Sequence, residues 1–132
     1  MPKIIDTYSL LVFLEKDTGF EKVKSLLVEA AQTGDTLLLS SISFGEICNI
    51  VSRECGQEKA NEIENIIKTL PVEIIDITTP LATEAFRIKD TYKLSSTNCF
   101  TAALAKLQNG ELVTGDKEFK KAERELKIEW IS

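Results

Sequence analysis

The sequence predicts an α/β fold, a mostly parallel sheet with helices packed on both faces. Three observations predict it. Short apolar runs alternate with longer stretches of helical period, the mark of successive strand–helix units. At 132 residues, 43% hydrophobic and 28% charged, the chain suits a single ordinary globular domain over residues 1–132. No internal repeat, low-complexity segment or linker interrupts the alternation.

The first strand is the short run ending at Ile4-Ile5, closed abruptly by Asp6. Leu10, Leu11, Phe13 and Leu14 then read as a short helix, which Gly19 breaks. Phe20, Val23, Leu26, Leu27, Ala30 and Ala31 keep a helical period up to the turn signal Gly34-Asp35. Thr36–Ser40 is a compact apolar run and a buried strand. Ser43 and Glu46 fit the capping box S-x-x-E, so the next helix is expected to start there and end at Gly56.

Gln57–Thr69 is a further helix with Ala60, Ile63, Ile66, Ile67 and Leu70 on one side, and Pro71 bounds it. Val72–Ile75 is the third strand. Thr78-Thr79-Pro80 opens a helix, with proline near its first turn. Ser95-Ser96-Thr97 supplies hydroxyl caps for another, which Asn109-Gly110 stops. Glu111–Thr114 is the fourth strand, Lys117–Leu126 a polar helix, and Ile128–Ile131 the last strand. Trp130 and Phe100 are expected in the core.

Composition excludes several chemistries. There is no histidine, which removes Ser-His-Asp and Cys-His machinery. Cys48, Cys55 and Cys99 are an odd number without framework spacing, so they are expected as buried thiols. A zinc site lacks both histidine and Cys-x-x-Cys. The net charge of −5 is not the basic surface of a non-specific nucleic-acid binder. A bound divalent cation would reverse that sign locally. No apolar run reaches the roughly 18–20 residues that span a bilayer, and no signal-peptide pattern opens the chain, so a cytoplasmic protein with no membrane partner is expected.

Three acidic residues follow predicted strands. Asp6 follows the first, Glu46 lies just inside the helix after the second, and Asp116 follows the fourth. In a parallel sheet these positions share one end, where ligands bind. Two charges 4 Å apart repel by about 4 kcal/mol at an effective dielectric near 20. Such a cluster binds a cation, takes up a proton or pairs with Lys or Arg. Oxygen-only donors favour Mg²⁺ or Mn²⁺, which suit phosphoryl chemistry. The competing reading makes Asp6 an N-cap, Glu46 a capping-box residue and Asp116 a turn residue.

Four segments, in order and spacing, resemble a known family. They are Ile5-Asp6-Thr7, Ser43–Ile47 (SFGEI), Leu94–Ala105 (LSSTNCFTAALA) and Thr114–Phe119 (TGDKEF). The chain is similar to PIN-domain ribonucleases of the VapC toxin type, over essentially its whole length. The resemblance implies a three-layer α/β/α fold with a five-stranded, mostly parallel sheet. It also implies RNA cleavage with Mg²⁺ or Mn²⁺, a cognate antitoxin partner and a homodimer.

Asp6, Glu46 and Asp116 fall on three of the family's acidic positions. Two positions depart. Tyr8 stands where the family usually has Asn, and Asn98 where it has its remaining Asp. Asn98 keeps a carbonyl oxygen, loses a charge and gains an NH₂ donor, so metal binding is expected to weaken and cleavage to be impaired. Asn98 is either a replacement introduced to disarm a nuclease or a natural departure, which Tyr8 mildly favours. A catalytically inactive PIN-like module that binds RNA or an antitoxin is the alternative function. A phosphoacceptor receiver-like domain is a third, disfavoured because Asp6-Thr7 lacks that class's paired acids.

Thr7 and Thr114 carry hydroxyls beside the proposed ligands and would orient them, or simply cap. Lys117, Lys120 and Lys121 read as a solvated face rather than a phosphate track. Arg87 and Lys89 are expected to pair with Glu84 or Asp90.

Overall fold

The computed structural model describes residues 1–132. Its strands are β1 (Lys3–Ile5), β2 (Leu37–Ser40), β3 (Val72–Ile75), β4 (Glu111–Thr114) and β5 (Lys127–Trp130). Its helices are α1 (Thr7–Glu15), α2 (Phe20–Thr33), α3 (Ser41–Cys55), α4 (Gln57–Thr69), α5 (Thr79–Tyr92) and α6 (Ser96–Leu107). The sheet order is β3-β2-β1-β4-β5 and every pairing is parallel. The expected α/β class and parallel five-stranded sheet are what the chain forms.

Strand alternation sorts the core into two layers. Ile5, Leu37, Leu39 and Val113 pack on one face with α1 to α4. Ile4 and Leu112 point to the other face, against Leu81, Ala85 and Ile88 of α5 and Ala102, Ala103 and Leu104 of α6. Both faces of the sheet are therefore covered, as a parallel sheet requires. The register sets Ile5 beside Val113 and Thr114 beside Trp130, so the ends of β1, β4 and β5 lie level.

Several local expectations need correction. Helix α3 starts at Ser41, and its cap is Ser40, whose Oγ accepts the Ser43 N–H at 3.0 Å. The capping box at Ser43 and Glu46 does not form, because Ser40 already serves the same donor three residues earlier. Ser43 Oγ instead meets Thr101 Oγ1 at 3.2 Å. Ser95 caps α6 by position, without a side-chain cap bond. The expected polar helix over 117–126 is only a 3-10 helix, Lys117–Ala122. Its buried residues are Phe119 and Ala122, three apart, and a 3-10 turn puts residues i and i+3 on one side.

Trp130 and Phe100 are half-buried and flank the second layer rather than lying inside it. Cys99 is buried, Cys48 half-buried and Cys55 exposed, since Cys55 is the last residue of α3. Arg87 does pair with Glu84, and also with Glu125. Lys117 folds over the Trp130 ring at 4.4 Å.

Candidate active site

Asp6 is the residue at which β1 stops and α1 begins. Its backbone is extended and it caps α1, Oδ1 accepting the Ser9 N–H at 2.9 Å. The two readings of Asp6, cap and crevice residue, are therefore compatible. Its second oxygen, Oδ2, accepts the Thr114 hydroxyl at 2.5 Å across the β1–β4 boundary. The same Thr114 Oγ1 accepts the Asp116 N–H at 3.0 Å. Thr114 thus fixes both acidic residues at once.

Asp6 is only 1% exposed. That burial pushes its carboxyl up to about 6, against the donors from Thr114 and Ser9, and the Asp116 charge adds to the rise. Burial is the main cause of the rise, and the neighbouring charge is a smaller one.

Asp116 caps the 3-10 helix, Oδ1 accepting the Glu118 N–H at 2.9 Å. Its Oδ2 faces α6 and accepts Asn98 Nδ2 at 3.0 Å. Asn98 is buried in the first turn of α6. Glu46, one turn into α3 and half-buried, accepts the Thr97 hydroxyl at 2.9 Å, which ties α3 to the same turn of α6. Asp6, Thr114, Asp116 and Asn98 form one connected group, and Glu46 joins it through the neighbour of Asn98. Thr7 makes no such contact. Its hydroxyl is buried and has no hydrogen-bond partner.

Glu118 also belongs to this group, although it lies among Lys117, Lys120 and Lys121 in sequence. Its Oε1 accepts Asn98 Nδ2 at 2.8 Å and the Ser95 N–H at 2.9 Å. Partial burial pushes Glu118 up, but those two donors outweigh it and hold it below the ordinary carboxylate range. The available signal was its place two residues after Asp116, inside a capped turn that folds back on the crevice.

Every polar donor atom toward a cation here is oxygen, which suits a hard divalent ion. The number falls short. No three Asp, Glu or Cys side chains come together at ligand spacing, and the third acidic position is the amide of Asn98. The residues therefore fit Mg²⁺ or Mn²⁺ in chemistry, through Asp6, Asp116 and the Asn98 carbonyl oxygen, with one charge fewer than three carboxylates would give.

The PIN domain family model matches residues 3–125. No curated protein sequence matches the chain. Among solved structures the chain is similar to VapBC2 from Rickettsia felis bound to a promoter DNA fragment, with a TM-score of 0.80 and 21% identity over 98% of each chain. It is also similar to DNA-bound VapBC from Salmonella typhimurium, with a TM-score of 0.77 and 16% identity over 100% of this chain and 99% of that one. A third is VapC20 of Mycobacterium tuberculosis, a sarcin-ricin loop cleaving toxin, with a TM-score of 0.72 and 18% identity over 91% of this chain and 94% of that one. At these identities the likeness is one of fold.

Proposed function

The chain belongs to the PIN domain family, and from that premise we propose that it is a toxin-type endoribonuclease dependent on Mg²⁺ or Mn²⁺ and impaired at one ligand. The observation that carries this is the single Thr114 hydroxyl holding Asp6 and Asp116 together at the carboxyl end of two neighbouring strands. Asp6 and Asp116 would hold the cation, with Asn98 contributing a carbonyl oxygen at reduced strength. When bound, the cation would polarise the phosphate, lower the pKa of a water and stabilise the leaving oxygen.

The chain's own residues supply the rest. Thr114 fixes the Asp6 carboxylate by taking up one lone pair, and Ser9 takes another. Glu46, held by Thr97, orients the attacking water or completes the ligand set. Water adds to phosphorus, the bridging P–O bond breaks, and the leaving oxygen departs with a proton. The test is RNA cleavage by this chain and by Asn98→Asp, side by side, with Mg²⁺, Mn²⁺ and EDTA. Cleavage that is stronger in Asn98→Asp and abolished by EDTA is expected. Silence of both proteins on varied RNAs would overturn the reading.

One observation favours a second reading. The Asn98 amide turns its nitrogen, not its oxygen, toward Asp116. This supports a PIN module that binds RNA or an antitoxin without cutting, for which binding is unchanged by EDTA.

We propose a cognate antitoxin as the protein partner. The toxin–antitoxin complexes among the similar folds support it. So does an apolar groove of about 320 Å³ between α1, α2, α3 and α4, lined by Leu11, Phe13, Leu14, Phe20, Val51 and Ile63. A homodimer is proposed as well, and Phe86, 62% exposed, suits a face that a second copy covers. No helix is long and apolar enough to cross a membrane. A cytoplasmic location and a single domain over residues 1–132 complete the proposal.

A further inference from the structure

One group already sits among the crevice carboxylates where a positive charge is wanted. Asn98 Nδ2 carries two hydrogens, and its two neighbours are Asp116 Oδ2 at 3.0 Å and Glu118 Oε1 at 2.8 Å. Both neighbours are carboxylate oxygens that can only accept, so the amide must present its nitrogen to them. Glu118 Oε1 also receives the Ser95 N–H, and Asp116 Oδ1 the Glu118 N–H. The first turn of α6 and the turn after β4 are therefore joined through this amide.

We propose that Asn98 is a positioning residue that stands in for a cation, latching Asp116 to Glu118 so that the crevice stays assembled without metal. An Asp at this position would put three carboxylates face to face and would need a cation to hold them. Asn does the opposite. To ligate a metal its side chain must turn the oxygen inward, and both carboxylates then lose the amide donor and keep only their backbone N–H donors. The latch and the metal compete for the same orientation of one side chain. The inference rests on reading the crevice as a metal site, but its test does not require cleavage.

The test is thermal unfolding of this chain, Asn98→Asp and Asn98→Ala, each in EDTA and in excess Mn²⁺. The Asp variant is expected to unfold about 4–8 °C below the parent in EDTA and to recover most of that with Mn²⁺. The parent is expected to gain clearly less from Mn²⁺ than the Asp variant does. The Ala variant, which loses the latch without gaining a charge, should unfold lower by the same amount in both buffers.

The Asn98 side-chain amide protons should exchange slowly in a ¹⁵N spectrum of the parent. Equal stabilisation of parent and Asp variant by Mn²⁺ overturns the latch. So does an Asp variant as stable as the parent in EDTA. Should the Asp variant fail to fold in either buffer, the Ala variant decides. Unfolding of that variant at the parent temperature, with fast exchange of the parent's Asn98 amide, also overturns it. An Asp variant that gains Mn²⁺ stabilisation yet cuts no RNA leaves the latch standing and removes the nuclease reading.

Discussion

Thr114 donates its hydroxyl proton to Asp6 Oδ2 at 2.5 Å, and its oxygen is occupied on the other side by the Asp116 N–H at 3.0 Å. Thr114 is fully buried, and Asp6 is 1% exposed. Burial keeps bulk water from replacing the bond to Asp6. Thr114→Val keeps the branched shape and removes both interactions. It leaves a buried carboxylate short of a donor and a backbone N–H short of an acceptor. Each such loss costs about 1–3 kcal/mol. Urea unfolding at neutral pH should show a destabilisation of about 2–4 kcal/mol on that scale, while Thr114→Ser should retain most of the stability.

The crevice rim has little spare volume at Gly115. A Cβ there would meet Tyr8 Cε1 at 2.4 Å and Ile131 Cγ1 at 3.1 Å. Tyr8 is 41% exposed, so its ring can swing outward. Gly115→Ala should therefore cost only about 1–2 kcal/mol, as modest overpacking does, and Tyr8→Ala should relieve much of it. A double-mutant cycle measured by urea unfolding checks this coupling. At Gly110 the obstacle is part side chain, Ile4 Cδ1 at 2.6 Å, and part backbone. A Cβ would meet the Pro2 carbonyl at 2.7 Å, and that oxygen already accepts the Glu111 N–H. Gly110→Ala should cost more than Gly115→Ala, and truncating Ile4 should relieve it only in part, because the Pro2 carbonyl stays in place.

The elements that were legible are those whose burial follows a simple period. Ile4-Ile5, Leu37–Leu39 and Leu112-Val113 are too apolar to be anything but two-sided strands, and the helices between them carry clean apolar stripes. Asp6 and Asp116 were legible because both sit where a parallel strand must end. The cap at Ser40 was not, since two serines three apart each offer a hydroxyl to the N–H three residues on, and sequence does not rank them. Glu118 was hidden for a different reason. Among Lys117, Lys120 and Lys121 it looks like charge alternation on a solvated helix. Only the tight 3-10 turn, capped by Asp116, brings its carboxylate back to Ser95 and Asn98.

Two glutamates away from the crevice make stability depend on acid. Glu125 is held at about 2 by the Arg87 guanidinium first and by the Tyr92 hydroxyl second, with Lys106 also close at 3.1 Å. Partial burial pushes Glu129 up, but Lys22 at 2.7 Å and Lys3 at 2.8 Å outweigh it and hold its carboxyl at about 2. Both groups sit below the ordinary unfolded value, so the folded chain binds fewer protons than the unfolded one. Their contribution is complete above about pH 4.5 and fades as pH falls towards 2. In urea titrations the Glu125→Gln, Glu129→Gln double variant should lose less stability between about pH 5 and pH 2 than the parent. Parallel losses in the two proteins would show that neither ion pair stabilises the fold.

Phe119 links the core to the crevice. Its ring is fully buried in the layer formed by α5 and α6, and it directly follows Glu118 in the turn that Asp116 caps. The three residues on this turn share one backbone. Emptying the Phe119 pocket therefore loosens the carboxylates as well as the core. Phe119→Ala should cost about 3–5 kcal/mol, the usual range for a buried ring, and Phe119→Leu should cost less because most of the volume remains. The local effect is separable from the global one. Hydrogen exchange at the Ser95 and Glu118 N–H groups, both held by crevice carboxylates, should quicken in Phe119→Leu more than exchange in β2. That region packs against the opposite layer through Leu37 and Leu39. Uniform quickening across both regions would mean that Phe119 supports the whole fold and has no particular hold on the crevice.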